Sequence, residues 1–154
     1  MREIVMRPIG VVRGGRSDPI DDGWDRVSCQ IVLDPAQFSA EATAGLADFS
    51  HVEVIYFFNR VPDDEIQKGA RHPRGRKDWP KVGIFAQRGK GRPNRVGITA
   101  CRILSVDGLK ISVQSLDAID GTPVLDIKPV MTGFLPHGTI REPDWAREIM
   151  KQYW

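Results

Sequence analysis

Alternation of hydrophobic and polar positions is clearest in residues 109–113, where apolar side chains at every second position leave one face of the segment polar. A period of two predicts a β-strand. Residues 98–106 form an apolar run just before it, and the Asp107-Gly108 dipeptide between the two runs suits a tight turn. The pattern therefore predicts a β-hairpin.

Further strands are predicted wherever a short apolar run is rich in β-branched and aromatic residues. Helical patterns are confined to residues 39–47, which Ser39 would cap, and to an amphipathic segment from residue 142. Many short strands with one or two peripheral helices and no βα alternation predict a mainly β fold, a single closed or nearly closed barrel over residues 1–154. The additional strand-like runs are residues 8–12, 27–33, 51–58, 82–86 and 124–127.

A chain of 154 residues is long enough to bury one core without crosslinks. No apolar run approaches the length of a membrane span, and the first 15 residues lack the apolar stretch of a signal peptide, so a cytoplasmic protein without a membrane segment is expected. Cys29 and Cys101 lie far apart in strand-like runs. Buried free thiols are therefore expected rather than a disulfide or a metal site.

The net charge is only +2, but residues 71–95, which we call the basic segment, carry nine Lys and Arg against one acid, a local balance of +8. Such asymmetry is typical of proteins that bind polyanions, although a solvated loop can be basic by chance. His72, Trp79 and Phe85 interleave with the cations and would suit stacking on unpaired bases, unless Trp79 is buried as an anchor. The candidate RNA contacts are Arg71, Arg74, Arg76, Lys77, Lys90 and Arg92.

Glycine, proline and charge concentrate in two segments. We call them the RPN segment (residues 82–97, VGIFAQRGKGRPNRVG) and the DGTP segment (residues 116–129, LDAIDGTPVLDIKP). Glycine and proline at this density fix a particular backbone path, and glycine lets a ligand approach the main chain. The first segment carries four cations and the second three carboxylates. Together they are predicted to form a ligand site.

The chain contains no dinucleotide-binding glycine motif, Walker loop, zinc-type cluster or nucleophile elbow. The two segments resemble the blocks VG(V/I)FATRSPxRPN and DLLDGTPVLDIKPY of the TsaA-like family, also called YaeB or TrmO. PIGVV at residues 8–12 and FSHVEVIYFF at residues 49–58 are similar to the family's other two blocks, and the carboxyl end, FLPHGTIREPDWAREIMKQYW, is similar to the tail of its short members. The resemblance covers nearly the whole chain.

This resemblance implies a barrel methyltransferase that is not Rossmann-like, uses S-adenosylmethionine, works as a homodimer and methylates N6 of threonylcarbamoyl-adenosine beside the tRNA anticodon. No metal is implied. Transfer from a sulfonium needs positioning more than covalent help. Asn94 is the candidate for orienting the acceptor amine, and Asp117 or Asp120 for taking its proton. The donor is expected to contact Phe85, Ala86, Gln87, Arg88, Leu116, Asp117, Asp120, Gly121, Thr122 and Pro123.

Other interpretations remain open. The DGTP turn also reads as an ordinary turn whose aspartate satisfies backbone groups, and Asp126 as the partner of Lys128. The chain could be a non-catalytic RNA-binding barrel, or an S-adenosylmethionine-dependent enzyme acting on an anionic small molecule. Selection of the target base is in question because the chain departs from the family pattern at Gln87, Gly89, Lys90, Gly91 and Val130.

Overall fold

Six antiparallel strands close a barrel in the computed structural model, which describes residues 2–154. The barrel order is β1–β2–β7–β6–β3–β8, and β4 and β5 pair separately as a two-stranded ribbon. This confirms the prediction of a closed, mainly β fold. The strands are β1 (Gly10–Arg13), β2 (Ser28–Leu33), β3 (His51–Phe57), β4 (Ala70–Arg71), β5 (Val82–Gly83), β6 (Val96–Asp107), β7 (Lys110–Gln114) and β8 (Pro123–Pro129).

Alternation along the barrel strands directs every second side chain into the core. In β3, Val52, Val54 and Tyr56 are buried, and the residues between them are only partly buried. On β2, Ile31 and Leu33 follow the same pattern. Because these side chains fill the interior, a ligand site has to lie at an end of the barrel or on its outer wall.

The barrel closes between β1 and β8 through few backbone contacts. Only two positions pair there, and one of them joins Val11 to Pro123, which has no N–H to donate. Val12 adds two hydrogen bonds, donating to the carbonyl of Thr122 at 2.9 Å and accepting from the N–H of Gly121 at 2.9 Å. The DGTP segment is therefore part of the closure itself.

The prediction of a helix over residues 39–47 is wrong. Two 3-10 turns, Ala40–Thr43 and Leu46–Asp48, take its place, and Ser39 makes no side-chain cap. Gly45 between them has a φ of 80°, a left-handed conformation that an α-helix cannot continue through. The second predicted helix is present as α1 (Asp144–Met150). Within residues 2–154, no helix has both the length and the apolar character to cross a bilayer.

The strand predicted over residues 82–86 is correct only at its start. After β5 the chain turns through the 3-10 segment Ile84–Ala86. The turn buries Ile84 at 1% exposure and leaves Phe85 80% exposed. A strand would have kept these residues in an extended row, whereas the turn brings an aromatic ring to the surface of the RPN segment.

Cys29 and Cys101 are buried free thiols, as the sequence predicts. Burial raises the pKa of the Cys29 thiol to about 11 and that of the Cys101 thiol to about 12. The folded protein therefore keeps these protons at a pH at which the unfolded chain releases them.

We expect the free energy of unfolding to fall as the pH rises from about 9 toward about 11, because neutral buried thiols stabilise the fold only while they stay protonated. That stability is complete below the unfolded pKa and is lost as the pH passes through the folded value. For Cys29 the loss reaches about 3 kcal/mol. Urea titrations under reductant at several pH values measure it. Cys29→Ala should show a shallower decline, and identical declines in both proteins would contradict the assignment.

Candidate active site

Asp117 is the point at which the DGTP segment meets the barrel wall and the carboxyl tail. Its Oδ1 accepts hydrogen bonds from the Tyr56 hydroxyl, at 2.7 Å, and from the Thr99 hydroxyl. Its Oδ2 accepts one from the Tyr153 hydroxyl. Hydrogen bonds to a carboxylate are stronger than those between neutral groups. Asp117 thus ties together β3, β6 and the residues after α1.

The tyrosines around Asp117 are held in the neutral form. Burial and then the charge of Asp117 raise the pKa of Tyr56 and of Tyr153 well above the ordinary tyrosine value. The positive charge of Arg88 opposes the rise in the Tyr153 pKa, so this arginine of the RPN segment acts on the same hydroxyl. Arg88 is fixed by donating from Nη2 to the carbonyl of Ile98 at 2.6 Å. Tyr153 therefore contacts the DGTP segment directly and lies within range of the charge of Arg88 in the RPN segment.

Gly97 on β6 makes room for the ring of Tyr56. A Cβ at residue 97 would lie 2.4 Å from that ring, far inside contact distance. The ring also meets the edge of Phe58, with the centroids 5.3 Å apart. The small residue at position 97 is what lets the Tyr56 hydroxyl reach Asp117.

Asp120 holds the DGTP turn against the loop that follows β1. Its Oδ1 accepts a hydrogen bond from the N–H of Gly14 at 2.8 Å, and its own N–H donates to the carbonyl of Arg16 at 2.8 Å. Thr122 and Leu116 are buried on either side of it in the sequence. The turn interpretation accounts for Oδ1 only. Within residues 2–154, Oδ2 accepts no hydrogen bond and keeps its capacity as an acceptor.

Gln87, one of the departures from the family pattern, fastens the RPN segment from inside. Its side chain is buried, and Nε2 donates to the carbonyls of Val82 at 2.9 Å and Arg71 at 3.3 Å. Phe85 and Ala86, which precede it, are exposed. Of the residues predicted to contact the donor here, Phe85 and Ala86 therefore present accessible side chains, whereas Gln87 shapes the loop.

Asn94 lies at the exposed corner of the RPN segment. The corner is held by its neighbours: Arg92 donates to the carbonyl of Gln87 at 3.2 Å, and Arg95 donates to that of Val61 at 2.8 Å. Among the described residues the Asn94 amide makes no hydrogen bond. A polar side chain fixed on a rigid corner without an internal partner is suited to contact a ligand.

Two glycines of the RPN segment are tightly packed, but against different neighbours. A Cβ at residue 91 would lie 2.7 Å from the carbonyl oxygen of Glu65, and one at residue 89 would lie 2.8 Å from Nη2 of Arg71. A carbonyl moves only with its backbone, whereas the end of an arginine can swing aside. We expect Gly91→Ala to lower the free energy of unfolding by about 1–3 kcal/mol and Gly89→Ala by less than about 1 kcal/mol. Chemical denaturation measures both, and equal losses would contradict this account.

Internal ion pairs neutralise part of the basic segment. Three of its four carboxylate partners come from outside it, which lowers the local excess from eight to five positive charges. Arg71, Lys77 and Arg92 have no carboxylate partner within residues 2–154, so among the candidate RNA contacts they meet the least competition for a phosphate. The pairs are Arg74–Asp22 at 2.6 Å, Arg76–Asp78, Lys90–Asp21 at 3.5 Å and Arg95–Asp63 at 3.1 Å.

Trp79 is a buried anchor of the basic segment, only 6% exposed. Its Nε1 donates to a carboxylate oxygen of Glu148 at 2.7 Å, and the guanidinium of Arg76 lies 4.0 Å from its ring centroid. Its carbonyl is 2.7 Å from Nδ1 of His72. Of the two interpretations of Trp79, the structure supports the anchor and not the platform for a base. A cleft of about 280 Å³ lies between this anchor and α1.

The residues after α1 cross the loop between β1 and β2. The carbonyl of Gln152 accepts from the N–H of Gly23 at 2.9 Å, and that of Tyr153 accepts from the N–H of Trp24 at 2.8 Å. These two bonds and the Tyr153–Asp117 bond form what we call the tail clasp. It places the carboxyl end over the same region as the DGTP turn.

Sequence reasoning missed the three hydroxyls that surround Asp117. Tyr56, Thr99 and Tyr153 lie outside both segments and in three different parts of the chain. The one signal available was that the runs containing Tyr56 and Tyr153 are similar to family blocks. Thr99 lies in a plain strand pattern and carried no signal.

The fold and the site together define a class of protein. Within residues 2–154 the strands form a closed antiparallel barrel without a parallel sheet or βα crossovers, and the carboxylate of Asp117 in the DGTP segment accepts hydrogen bonds from three hydroxyls. This architecture is distinct from the Rossmann-like fold, in which a parallel sheet and a glycine motif form the site.

Comparison with known families identifies the group. Residues 17–134 match the family described as tRNA-methyltransferase O N-terminal domain, and the chain belongs to this family. The match includes the whole of the RPN and DGTP segments and confirms the resemblance found in the sequence.

Relatives agree with this assignment. A probable S-adenosyl-L-methionine-binding protein of Methanothermobacter thermautotrophicus is 37% identical over 131 residues, which are 82% of this chain and 90% of the relative. One of Pyrococcus abyssi is 31% identical over 142 residues, 90% of this chain and 72% of the relative. The tRNA (adenine(37)-N6)-methyltransferase of Mus musculus is 36% identical over 90 residues, but these are 58% of this chain and 20% of that protein.

The barrel also resembles solved structures. A crystal structure of TrmO superposes with a TM-score of 0.73 at 25% identity, covering 92% of this chain and 61% of that one. A TrmO structure from Pseudomonas aeruginosa gives 0.75 at 24% identity, which supports the fold. The chain thus spans about three fifths of the length of the TrmO structures it matches.

Proposed function

We propose that the protein is an S-adenosylmethionine-dependent tRNA methyltransferase that acts on N6 of an adenosine in the anticodon loop, the threonylcarbamoyl-adenosine at position 37. The family match over residues 17–134 carries the proposal. The names of the relatives support the donor and the reaction. A reducing, cytoplasmic location belongs to the proposal and is supported by the two free thiols.

The residues of the site fit a sulfonium donor. S-adenosylmethionine supplies a methyl group that its positive sulfur has already activated. Asp117 and Asp120 provide negative charge that favours a cation, and the exposed ring of Phe85 offers a face for an adenine. Arg88 can pair with a carboxylate. Leu116, Gly121, Thr122 and Pro123 contribute the backbone path, and the side chains of Leu116 and Thr122 are buried.

Transfer forms a bond between the methyl carbon and N6, breaks the carbon–sulfur bond and releases the N6 proton. Asn94 orients N6 through its accessible amide. Asp120 takes the proton on Oδ2, because that oxygen has no internal hydrogen bond within residues 2–154. Asp117, whose oxygens already accept from three hydroxyls, serves as a positioning residue.

The tRNA approaches along the basic segment in this proposal. Lys77 and Arg92 contact it without a competing carboxylate, whereas Arg74, Arg76 and Lys90 have to exchange carboxylate partners for phosphates. Single-stranded loops are the part of an RNA in which a base can be splayed out and modified.

A homodimer is part of the same proposal. It is supported by large apolar side chains that this chain leaves exposed, since such groups often mark association surfaces. Sedimentation equilibrium measures the state directly, and a monomer at micromolar concentration would contradict it. These exposed apolar side chains include Phe85 in the RPN segment and, between β8 and α1, Phe134, Leu135 and Ile140.

Nucleoside analysis tests the reaction. The purified protein is incubated with S-adenosylmethionine and two tRNA pools, one carrying threonylcarbamoyl-adenosine and one prepared without that modification, and the nucleosides are measured by mass spectrometry. We expect a gain of one methyl group on the modified nucleoside only. Methylation of unmodified adenosine would change the substrate, and no methylation in either pool would reject the activity.

Binding measurements separate the other two candidate functions. Calorimetry with S-adenosylmethionine in the presence of a chelator and filter binding with tRNA are made on the same preparation. Donor binding without RNA binding favours an enzyme that acts on an anionic small molecule. RNA binding without donor binding favours a non-catalytic RNA-binding barrel.

A further inference from the structure

Arg71, the last residue of β4, carries a buried polar atom without a partner. Its Nε is screened from solvent and has no hydrogen-bond acceptor within residues 2–154. The side chain as a whole is only partly buried, and it joins none of the ion pairs of the described residues. Leaving a buried donor unpaired costs about 1–3 kcal/mol, and more when the group is charged. Packing alone therefore does not account for a guanidinium at this position.

The guanidinium of Arg71 lies against the backbone of the RPN segment. Its Nη2 is 2.8 Å from where a Cβ of residue 89 would lie, and its Nη1 is 3.8 Å from the corresponding point at residue 91. The arginine head therefore occupies space that a side chain at residue 89 would need.

The stretch of chain against which this guanidinium lies is rich in cations. Residues 84–95 contain no Asp or Glu, and Arg88, Lys90 and Arg92 all lie within that stretch. Of these three, only Lys90 has a carboxylate partner among the described residues, Asp21 at 3.5 Å. Glu65 touches Gly91 through its carbonyl and forms no ion pair with Arg71. A cation with no counter-charge in such a setting favours an anionic ligand.

We propose that Arg71 is an oxyanion-binding and specificity-determining residue of the RPN segment, and that its guanidinium takes a carboxylate or phosphate group of a ligand. The inference rests on the proposed function. The planar guanidinium fork matches the two oxygens of such a group, and Gly89 is the residue that gives the fork its place. The oxyanion is either the methionyl carboxylate of the donor or a phosphate of the RNA.

The test compares two arginine variants. Arg71→Met removes the guanidinium, and Arg102→Met removes one from the exposed outer face of β6, away from the RPN segment. Affinities are measured for S-adenosylmethionine, for decarboxylated S-adenosylmethionine and for tRNA at several salt concentrations. Loss of a charged, two-point contact should weaken binding at least about tenfold.

The arms distinguish the two sources of the oxyanion. If Arg71→Met weakens S-adenosylmethionine but not its decarboxylated analogue, the donor carboxylate is the ligand group. If it weakens tRNA and lowers the salt slope by about 0.7 to 0.9, the group is a phosphate. If Arg71→Met and Arg102→Met have the same affinities for S-adenosylmethionine, for its decarboxylated analogue and for tRNA, the inference is overturned and the proposed function stands. Wild-type protein that binds neither donor nor tRNA rejects the proposed function itself.

Gly89→Ala provides a second variant that should fold, because its Cβ displaces only the end of the Arg71 side chain. We expect it to weaken the same ligand as Arg71→Met. The double variant should be no weaker than Arg71→Met alone, since both changes remove one contact. Additive losses would show that the two residues act separately and would contradict the proposal.

Discussion

Asp117→Ala should lower the free energy of unfolding by about 3 kcal/mol. The change removes the acceptor of three hydroxyls, and those of Tyr56 and Thr99 belong to buried side chains. Unpaired buried hydroxyls carry a desolvation penalty that their hydrogen bonds to the carboxylate offset. Urea titration at neutral pH measures the loss.

Two variants make this result specific. Tyr153→Phe removes one of the three donors and should cost about 1 kcal/mol. Asp126→Ala removes a carboxylate that is paired with Lys128 at the surface and should cost less than about 1 kcal/mol. A loss in Asp117→Ala no larger than that in Asp126→Ala would mean that the hydroxyl cluster contributes nothing to stability.

Asn94→Ala should lower single-turnover methyl transfer about a hundredfold, or about 2.7 kcal/mol of barrier, while donor affinity stays nearly unchanged. The reason is that an accessible amide on a fixed corner can orient the acceptor nitrogen without contacting the donor. Rapid-quench measurements with saturating donor give the transfer rate, and calorimetry gives the affinity.

Asn59→Ala is the matched control, because Asn59 is the only other asparagine and lies exposed just after β3. It should transfer methyl groups at the wild-type rate. If Asn94→Ala instead loses donor affinity and thermal stability together, Asn94 only shapes the turn. Full transfer activity in a folded Asn94→Ala protein would reject both roles for Asn94. The function of this corner would then rest on Pro93 and the arginines beside it.

The barrel strands could be predicted because the residue types within each strand already indicate a half-buried, extended segment. In β3, a short apolar run rich in β-branched and aromatic residues predicted a strand over residues 51–58, against the observed His51–Phe57. The RPN segment was harder. A run of apolar residues at 82–86 reads as a strand, and only packing decides that Ile84 is buried by a 3-10 turn. Local pattern does not carry that information.

The site could be predicted in part. Both segments were recognised from the sequence, and the site that they would form together stays a prediction; Asp117 of the DGTP segment accepts a hydrogen bond from Tyr153. The partners of Asp117 could not be predicted, since they lie 18, 36 and 61 residues away and a single sequence contains no sign of such pairing. Gln87 and Gly89 looked like changes to the ligand site. They also have a packing reason, through the carbonyl and the guanidinium of Arg71.

The closure between β1 and β8 has a dynamic consequence. With Pro123 at one of its two paired positions, we expect the barrel to open more easily at this joint than between its other strands. The amides of Val12 and Gly121 should therefore exchange with deuterated water sooner than those in the middle of β3. A ligand seated on the DGTP turn would have to bind the shut form, so it would slow that exchange. Opening of the β1–β8 pairing and ligand binding would then compete. The measured ligand affinity would include the free energy of closing this pairing.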